Sequence, residues 1–459
     1  MDGETVQEVM SMAVSTSQRE PSQAGPPVAR FPSWLRKYAS AVARPFFAVV
    51  LAIIAGGIVI VFTSPGSFGD RLNTVTSAYS ALWTGSFGSW LSISNTLVKV
   101  TPLIFATLSV AITFRAGLFN IGAAGQIVMG AMAADILALK CPTWPGWLLV
   151  PAMLLLSMAV GGLWGAIVGF LKAWRGAHEV VTTIMLNWVA FYMTDYLIDG
   201  PFTAPGGSNQ TNVLPVQAQL PQITTVYNAT LGHFLPHADP YAYLVDVGLF
   251  LALLALVIYW FISRRTAFGY EIRVLGENPK AAVYAGIPVK RNILLVMTIA
   301  GMFAGLGGAL HLMGQFPYQM IATTSRIDQT GFDAIGASLL GMNTAVGSLF
   351  GSLLFGGLRA ASPLVQASGI SGDIVLVLEA LVLFCIASEF LPALQRVLPR
   401  WLQLGPRQTR SQAAAQGSVA TMLEPLSVEH ERLAVPADVG MGEPLEESAG
   451  GDGASSKEN

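Results

Sequence analysis

Three uncharged amides set in apolar sequence, Asn120, Gln126 and Asn187, are the side chains best suited to meet a solute. Each can both donate and accept hydrogen bonds, which suits an uncharged polyhydroxyl or a nucleobase. Asp333, in a short Gly-rich apolar piece, is the fourth candidate for a substrate pathway. The same amides can equally well bond one helix to another, and the sequence leaves both uses open. Asp135, Asp195, His311 and Gln315 fall near the ends of apolar spans, where interfacial solvation is expected. Glu179, Asn343 and Glu379 complete the polar set, each costly in a bilayer unless paired or facing water.

Catalytic groupings are missing from the sequence. There is no Gly-x-x-x-x-Gly-Lys-Ser/Thr phosphate loop, no His-Glu-x-x-His and no Gly-x-Ser-x-Gly. His178, His233, His237, His311 and His430 are scattered, so no metal site and no enzyme activity are expected. Cys141 and Cys385 are too few for a disulfide framework or a thiolate metal site. The formal charge of −2 gives no reason to expect a nucleic-acid partner. Any uphill work would draw on a partner or an ion gradient, and no cofactor is expected on this chain.

The elements that position these residues are apolar spans. The chain is 53% hydrophobic and 11% charged, against roughly 25% charged in an ordinary soluble domain. Stretches near the ~20 residues that cross a bilayer recur at Pro45–Thr63, Ile93–Phe114, Gly117–Leu139, Trp147–Leu171, Val180–Ile198, Tyr241–Ile262, Asn292–Met313, Ala345–Ala361 and Gly372–Phe390. Gly331–Leu340 is too short to span alone and reads as a half-helix or re-entrant piece. The fold class is therefore an all-α polytopic membrane protein of nine to ten transmembrane helices.

Lysines and arginines set the orientation. Arg30, Arg36, Lys37 and Arg44 precede the first span, and Arg264, Arg265, Arg273, Lys280, Lys290 and Arg291 share its side by parity. Arg396, Arg400, Arg407 and Arg410 follow the last span, so both termini are expected in the cytoplasm. The loop 199–240 carries no Lys or Arg and reads as external. No basic-then-apolar leader opens the chain, so the first span is expected to be retained. Residues 1–30 and 405–459 read as disordered cytoplasmic tails flanking a membrane domain over 31–404.

Two further patterns stand out. Gly117-Leu118-Phe119-Asn120-Ile121-Gly122-Ala123 echoes Gly331-Phe332-Asp333-Ala334-Ile335-Gly336-Ala337, with the two copies starting at opposite edges of the membrane. Such an echo is what an inverted internal repeat of interrupted helices would leave. Gly161, Gly165 and Gly169, and the pairs Gly301–Gly305 and Gly347–Gly351, recur at four-residue spacing, which predicts close helix packing.

Within the basic loop 263–291 lies a short helix with both ends specified. Asn278 suits the N-cap and Pro279 the first helical position. Gly286 can take the left-handed stop conformation, and Pro288 blocks resumption. A rigid helix on a membrane loop gives a soluble partner something to push on.

Four ordered motifs carry a family resemblance over residues 44–390. They are Phe114-Arg115-Ala116-Gly117-Leu118-Phe119-Asn120-Ile121-Gly122, Glu179-Val180-Val181-Thr182-Thr183-Ile184-Met185-Leu186-Asn187, Arg264-Arg265-Thr266-Ala267-Phe268-Gly269-Tyr270-Glu271 and Asn278-Pro279-Lys280-Ala281-Ala282-Val283-Tyr284-Ala285-Gly286-Ile287. The chain resembles the permease subunits of bacterial nucleoside and simple-sugar ABC importers, in the branched-chain amino acid/ribose-type permease superfamily. The resemblance implies a non-catalytic transmembrane subunit in a bacterial cell membrane. ATP would be bound by a separate ATPase, against which Asn278, Pro279, Ala281, Ala282, Tyr284 and Gly286 would dock. It also implies a second permease subunit and an extracytoplasmic substrate-binding protein that would land on the 199–240 loop. Ala124, Met342 and Trp188 depart from residues common in the family, which bears on the substrate more than on the architecture. An ion-coupled secondary transporter of a small polar solute is the alternative.

Overall fold

The computed structural model describes residues 33–206, 209–230, 244–322 and 329–387. The expected tails 1–30 and 405–459, and the four arginines after the last span, lie outside these residues. Fourteen α-helices occur among the described residues. They are α1 Ser33–Thr63, α2 Phe68–Phe87, α3 Trp90–Arg115, α4 Ala123–Lys140, α5 Gly146–Arg175, α6 Glu179–Asp199 and α7 Ile223–Thr230, followed by α8 Gly248–Arg265, α9 Ala267–Glu277, α10 Pro279–Tyr284, α11 Val289–Gly314, α12 Thr330–Leu340, α13 Ala345–Ala367 and α14 Asp373–Ala387.

Seven helices are long and apolar enough to cross a membrane: α1 from Pro45 onward, α3, α4, α5, α8, α11 and α13. Of the other two expected spans, α6 has the length, but its polar residues dilute its hydropathy below that of the seven. For α14 the described helix covers 15 residues. α12 has 11 residues, in keeping with a half-helix. Large apolar side chains stand exposed on one face after another, among them Ile54, Phe62, Leu163, Tyr196, Val257 and Phe261. An aqueous surface would not tolerate that much apolar area, whereas lipid covers it at no cost.

Two spans start well inside their expected bounds, while α1 and α13 run beyond theirs, from Ser33 and to Ala367. The span expected over Gly117–Leu139 begins at Ala123, because Gly117 adopts φ +69° and residues 117–122 leave the helix. The span expected over Tyr241–Ile262 starts at Gly248, after a stretch in which Asp246 bridges Gln222. The glycine echo accordingly falls on unlike local structure, a chain break in the first copy and helix α12 in the second.

Helix α2 is an addition to the sequence reading. Its Thr and Ser content hides it from an apolar scan, yet Thr74, Thr76 and Ser80 return their hydroxyls to their own helix. Ser67 and Asp70 form a reciprocal capping box at its start. Its buried face of Ala78, Ala81, Leu82 and Gly85 packs chiefly on α13.

α11 lies at the centre, against α3, α4 and α5. The glycine rows explain how. A Cβ added at Gly301 would run into the backbone of Gly161 and Gly162, and one at Gly130 into that of Gly305. Backbones in contact gain dispersion and weak Cα–H contacts, which replace the hydrophobic effect between helices in lipid. The packing role expected of these glycines is the one the structure assigns.

Candidate functional site

The three amides meet where the chain leaves α3 and enters α4. Asn120 donates through Nδ2 to Ser109 Oγ at 3.1 Å and to Gln126 Oε1 at 3.0 Å. Its Oδ1 accepts from the Gly122 N–H at 3.1 Å and from Gln126 Nε2 at 3.3 Å. Asn187, from α6, donates to the Ile121 carbonyl at 2.8 Å and accepts from the Gly125 N–H at 2.9 Å. A break inside a membrane strips backbone groups of their helical partners, and these amides replace them. The wiring also pins α6 to the break. We expect Asn120→Leu, which strands Ser109, Gln126 and the Gly122 N–H, to cost about 2 kcal/mol of stability. A thermal melt in detergent that matches wild type would contradict this role.

Asp333 joins a different group. Arg359 of α13 grips it in a fork, Nε to Oδ2 at 2.8 Å and Nη2 to Oδ1 at 3.0 Å. Glu379 of α14 lies 3.2 Å from the same Nε. One guanidinium thus ties α12, α13 and α14 together while compensating two buried carboxylates. Removing one member of such a group leaves an uncompensated charge. Arg359→Leu should therefore lower stability by about 3 kcal/mol, read as a drop in melting temperature. Asp333→Asn should cost less, since the acid itself is removed. The sequence signal for this grouping was a lone arginine in an apolar span, which has to find acids.

Asp135 and Asp195, expected at a solvated interface, are both buried. For Asp135 the cover comes from the loop that carries Thr211. Segments 209–222 and 315–322 pair through Thr211 N–H to Met320 O at 2.9 Å and Leu214 N–H to Tyr318 O at 2.8 Å, and the Leu220 N–H reaches Met313 O at the end of α11 at 2.9 Å. Gln315 is buried as well, accepting from Lys99 Nζ at 2.8 Å and donating to the Val98 carbonyl.

At the basic end, α10 has the termini its sequence specifies. Asn278 Oδ1 accepts from the N–H groups of Lys280 at 3.0 Å and Ala281 at 3.1 Å. Gly286 turns at φ +74°, its N–H reaching Val283 O while the Ile287 N–H reaches Ala282 O. This pair of bonds is the Schellman stop. Ala282 points inward and is fully buried, whereas Tyr284 is 92% exposed. Lys280, Ala281 and Val283 are exposed beside it. Of the six candidate docking residues, Ala282 is therefore a seat for the helix, and Tyr284 and Ala281 belong to its free surface.

α9 links this helix to the break. Gly276 packs on the backbone of Arg115, Ala116 and Gly117, where a Cβ would clash. Gly269 abuts Ile262 and Ser263 at the end of α8, and Asn292 Nδ2 donates to Glu271 Oε2 at 2.7 Å, fastening α9 to α11. A second turn closes the arrangement. Met342 and Asn343 both have positive φ, and the Asn343 carbonyl accepts from Arg115 Nε at 2.8 Å and from Tyr259 OH at 2.7 Å. Sequence reasoning gave Arg115 no role beyond its place in a motif and did not single out Tyr259; Asn343 offered a hint as a residue that tolerates the left-handed region.

Comparison with known proteins bears on this architecture. Residues 92–387 match the family described as branched-chain amino acid transport system / permease component. The chain belongs to this family of permeases. The permease is 37% identical to the guanosine ABC transporter permease protein NupP of Bacillus subtilis over 347 residues, 75% of this chain and 93% of that protein. It is 33% identical to the nucleoside ABC transporter permease protein NupB of Lactococcus lactis, over 78% of this chain and 93% of that one. The glucose ABC transporter permease protein TsgB13 of Haloferax volcanii is 31% identical, over 78% of this permease and 89% of its own length.

Proposed function

We propose that this permease is a transmembrane subunit of an ATP-driven importer that carries nucleosides into the cell. The observation that carries the reading is the connection from α10 through α9 to the broken α3–α4 junction. An ATPase that closed on the exposed face of α10 would move a helix stopped at both ends, seated on Ala282 and backed by α9. The Gly276–Gly117 contact would pass that movement to the break, which is held by three amides and flanked by the second break at Asn343. Coupling of this kind needs elements with two discrete arrangements, and interrupted helices can supply them.

Nucleosides are favoured over sugars because the two relatives at 37% and 33% identity are named for guanosine and nucleosides, and the glucose relative is at 31%. In this reading Asn120, Gln126, Asn187 and Asp333 border the pathway, with the amides released from their present partners as the break moves. A second permease subunit completes the pore, and an extracytoplasmic binding protein delivers substrate to the paired loops 209–222 and 315–322. The basic end faces the cytoplasm of a bacterial cell, and both termini lie there. The chain itself holds no cofactor and catalyses no reaction; ATP belongs to the partner.

Mild-detergent purification of the tagged protein, followed by mass spectrometry and reconstitution, tests this. An ATPase in stoichiometric amount and ATP-dependent uptake of labelled guanosine are the expected result. Uptake driven by a proton or sodium gradient with no ATPase present would replace the reading with ion-coupled transport. In that event Asp333 and Glu379 become the first residues to change.

A further inference from the structure

Three arginines surround a pocket at the basic end of the bundle. Arg115 closes α3, Arg264 stands at the end of α8 and Arg273 lies on α9; Phe114, Gly276 and Glu277 complete the lining of a space of about 480 Å³. Arg264 and Arg273 sit close enough to Arg115 to repel its charge. Arg115 is held by its Nε bond to Asn343 and by the Tyr259 ring, 5.5 Å from its guanidinium carbon. Arg273 spends one Nη2 bond on the Ser263 carbonyl. Among the described residues, none of the three forms an ion pair, although Lys172 pairs with Glu179 at 2.7 Å and Arg359 with Asp333.

Basic residues gather at this end of any polytopic protein for topological reasons. That rule explains their side of the membrane but not the convergence of three of them around one cavity. The lining holds three guanidinium groups against the single carboxylate of Glu277, an excess of positive charge in a concave site. Guanidinium forks match tetrahedral oxyanions. Depth narrows the source. The last turns of α8 carry Trp260 with the Arg265 guanidinium 5.4 Å from its ring, and a Trp–Arg pair at the end of an apolar span marks the headgroup layer. Phe114 packs edge-on against the exposed Phe119 at 5.1 Å, adding apolar surface beside the pocket.

We propose that this pocket binds a phosphate-bearing anion, with the headgroup of an anionic phospholipid as its source. Basic pockets between helices at this membrane face commonly hold such groups. The bound phosphate would join the end of α3, the end of α8 and α9, and Glu277 is the residue immediately before the N-cap of α10. Lipid composition would then set how firmly α9 is wedged beneath the break. The inference does not depend on which solute the permease carries.

The test uses the full-length protein, purified in mild detergent, stripped of lipid and offered labelled phosphatidylglycerol, labelled phosphatidylcholine or inorganic phosphate. Wild type should retain phosphatidylglycerol in preference to phosphatidylcholine. Arg264→Gln with Arg273→Gln, leaving the structural Arg115 intact, should lower that retention at least about tenfold, since each basic group near the surface is worth about fivefold. Glu277→Gln removes the opposing carboxylate and should raise it. Millimolar inorganic phosphate displacing the lipid would support the same phosphate site while assigning it a soluble source; no displacement supports the lipid. Equal retention of both lipids by wild type, or wild-type retention in both variants, overturns the proposal. If the double arginine variant does not fold, Glu277→Gln alone still decides.

Discussion

Gly301→Leu is expected to leave no folded permease. Gly301 presses on the carbonyl and carbon of Gly161 and on Gly162 Cα, so an added side chain meets main chain, which cannot rotate aside. Overpacking against flexible side chains typically costs about 1–3 kcal/mol. Here the loss should exceed about 4 kcal/mol, the range reserved for failures of a core. α11 packs against α3, α4 and α5, and the displaced helix would disturb all of them. Size-exclusion of a fluorescent fusion should show aggregate in place of a single peak. Gly369→Leu is the control for bulk alone: nothing lies within 4 Å of its Cβ position, although its φ of +82° adds local strain. A monodisperse, wild-type-like profile for Gly301→Leu would mean that α5 and α11 are not in backbone contact.

The second large effect concerns α10, and two substitutions separate its seat from its free surface. Ala282→Glu puts a carboxylate where no solvent reaches. Burying an unpaired charge costs about 3 kcal/mol or more, enough to lift a six-residue helix off the bundle. The spans do not depend on α10, so the protein should still insert and run as a single species. Under the proposed function, ATP-driven uptake should fall by about tenfold or more, the scale of a lost coupling free energy. Tyr284→Ala removes a side chain that is 92% exposed and should leave the melting temperature unchanged. Any loss of uptake in that variant, with the ATPase still bound, reports on the docking face alone. Wild-type uptake in both variants would take α10 out of the coupling path.

Much of this protein is legible in sequence because a bilayer imposes simple demands. The spans announce themselves as apolar runs, since lipid rewards no other composition. α10 announces itself as well, because caps are local: Asn278, Pro279 and Gly286 each act on groups within a few residues, and no tertiary contact is needed to read them. The glycine rows indicated close packing for the same reason, although their partners could not be named.

Tertiary structure decided what depends on distant residues. Asn120 could have faced a solute or a helix; its bonds to Ser109 and Gln126 exist because α3 and α4 fold back across the break. Asp333 found Arg359 from 26 positions away. Asp135 looked like an interfacial residue until the loops around Thr211 and Met320 closed above the spans. α2 escaped notice because its hydroxyls are satisfied within the helix, which no hydropathy scan registers. The sequence by itself determined that the chain is an all-α polytopic membrane protein and where the exposed helix starts and stops, because transfer to lipid and helix capping are local free energies. Only the folded bundle decided which polar groups meet, since a buried hydrogen bond or ion pair depends on how far apart the chain brings two side chains, and packing sets that distance.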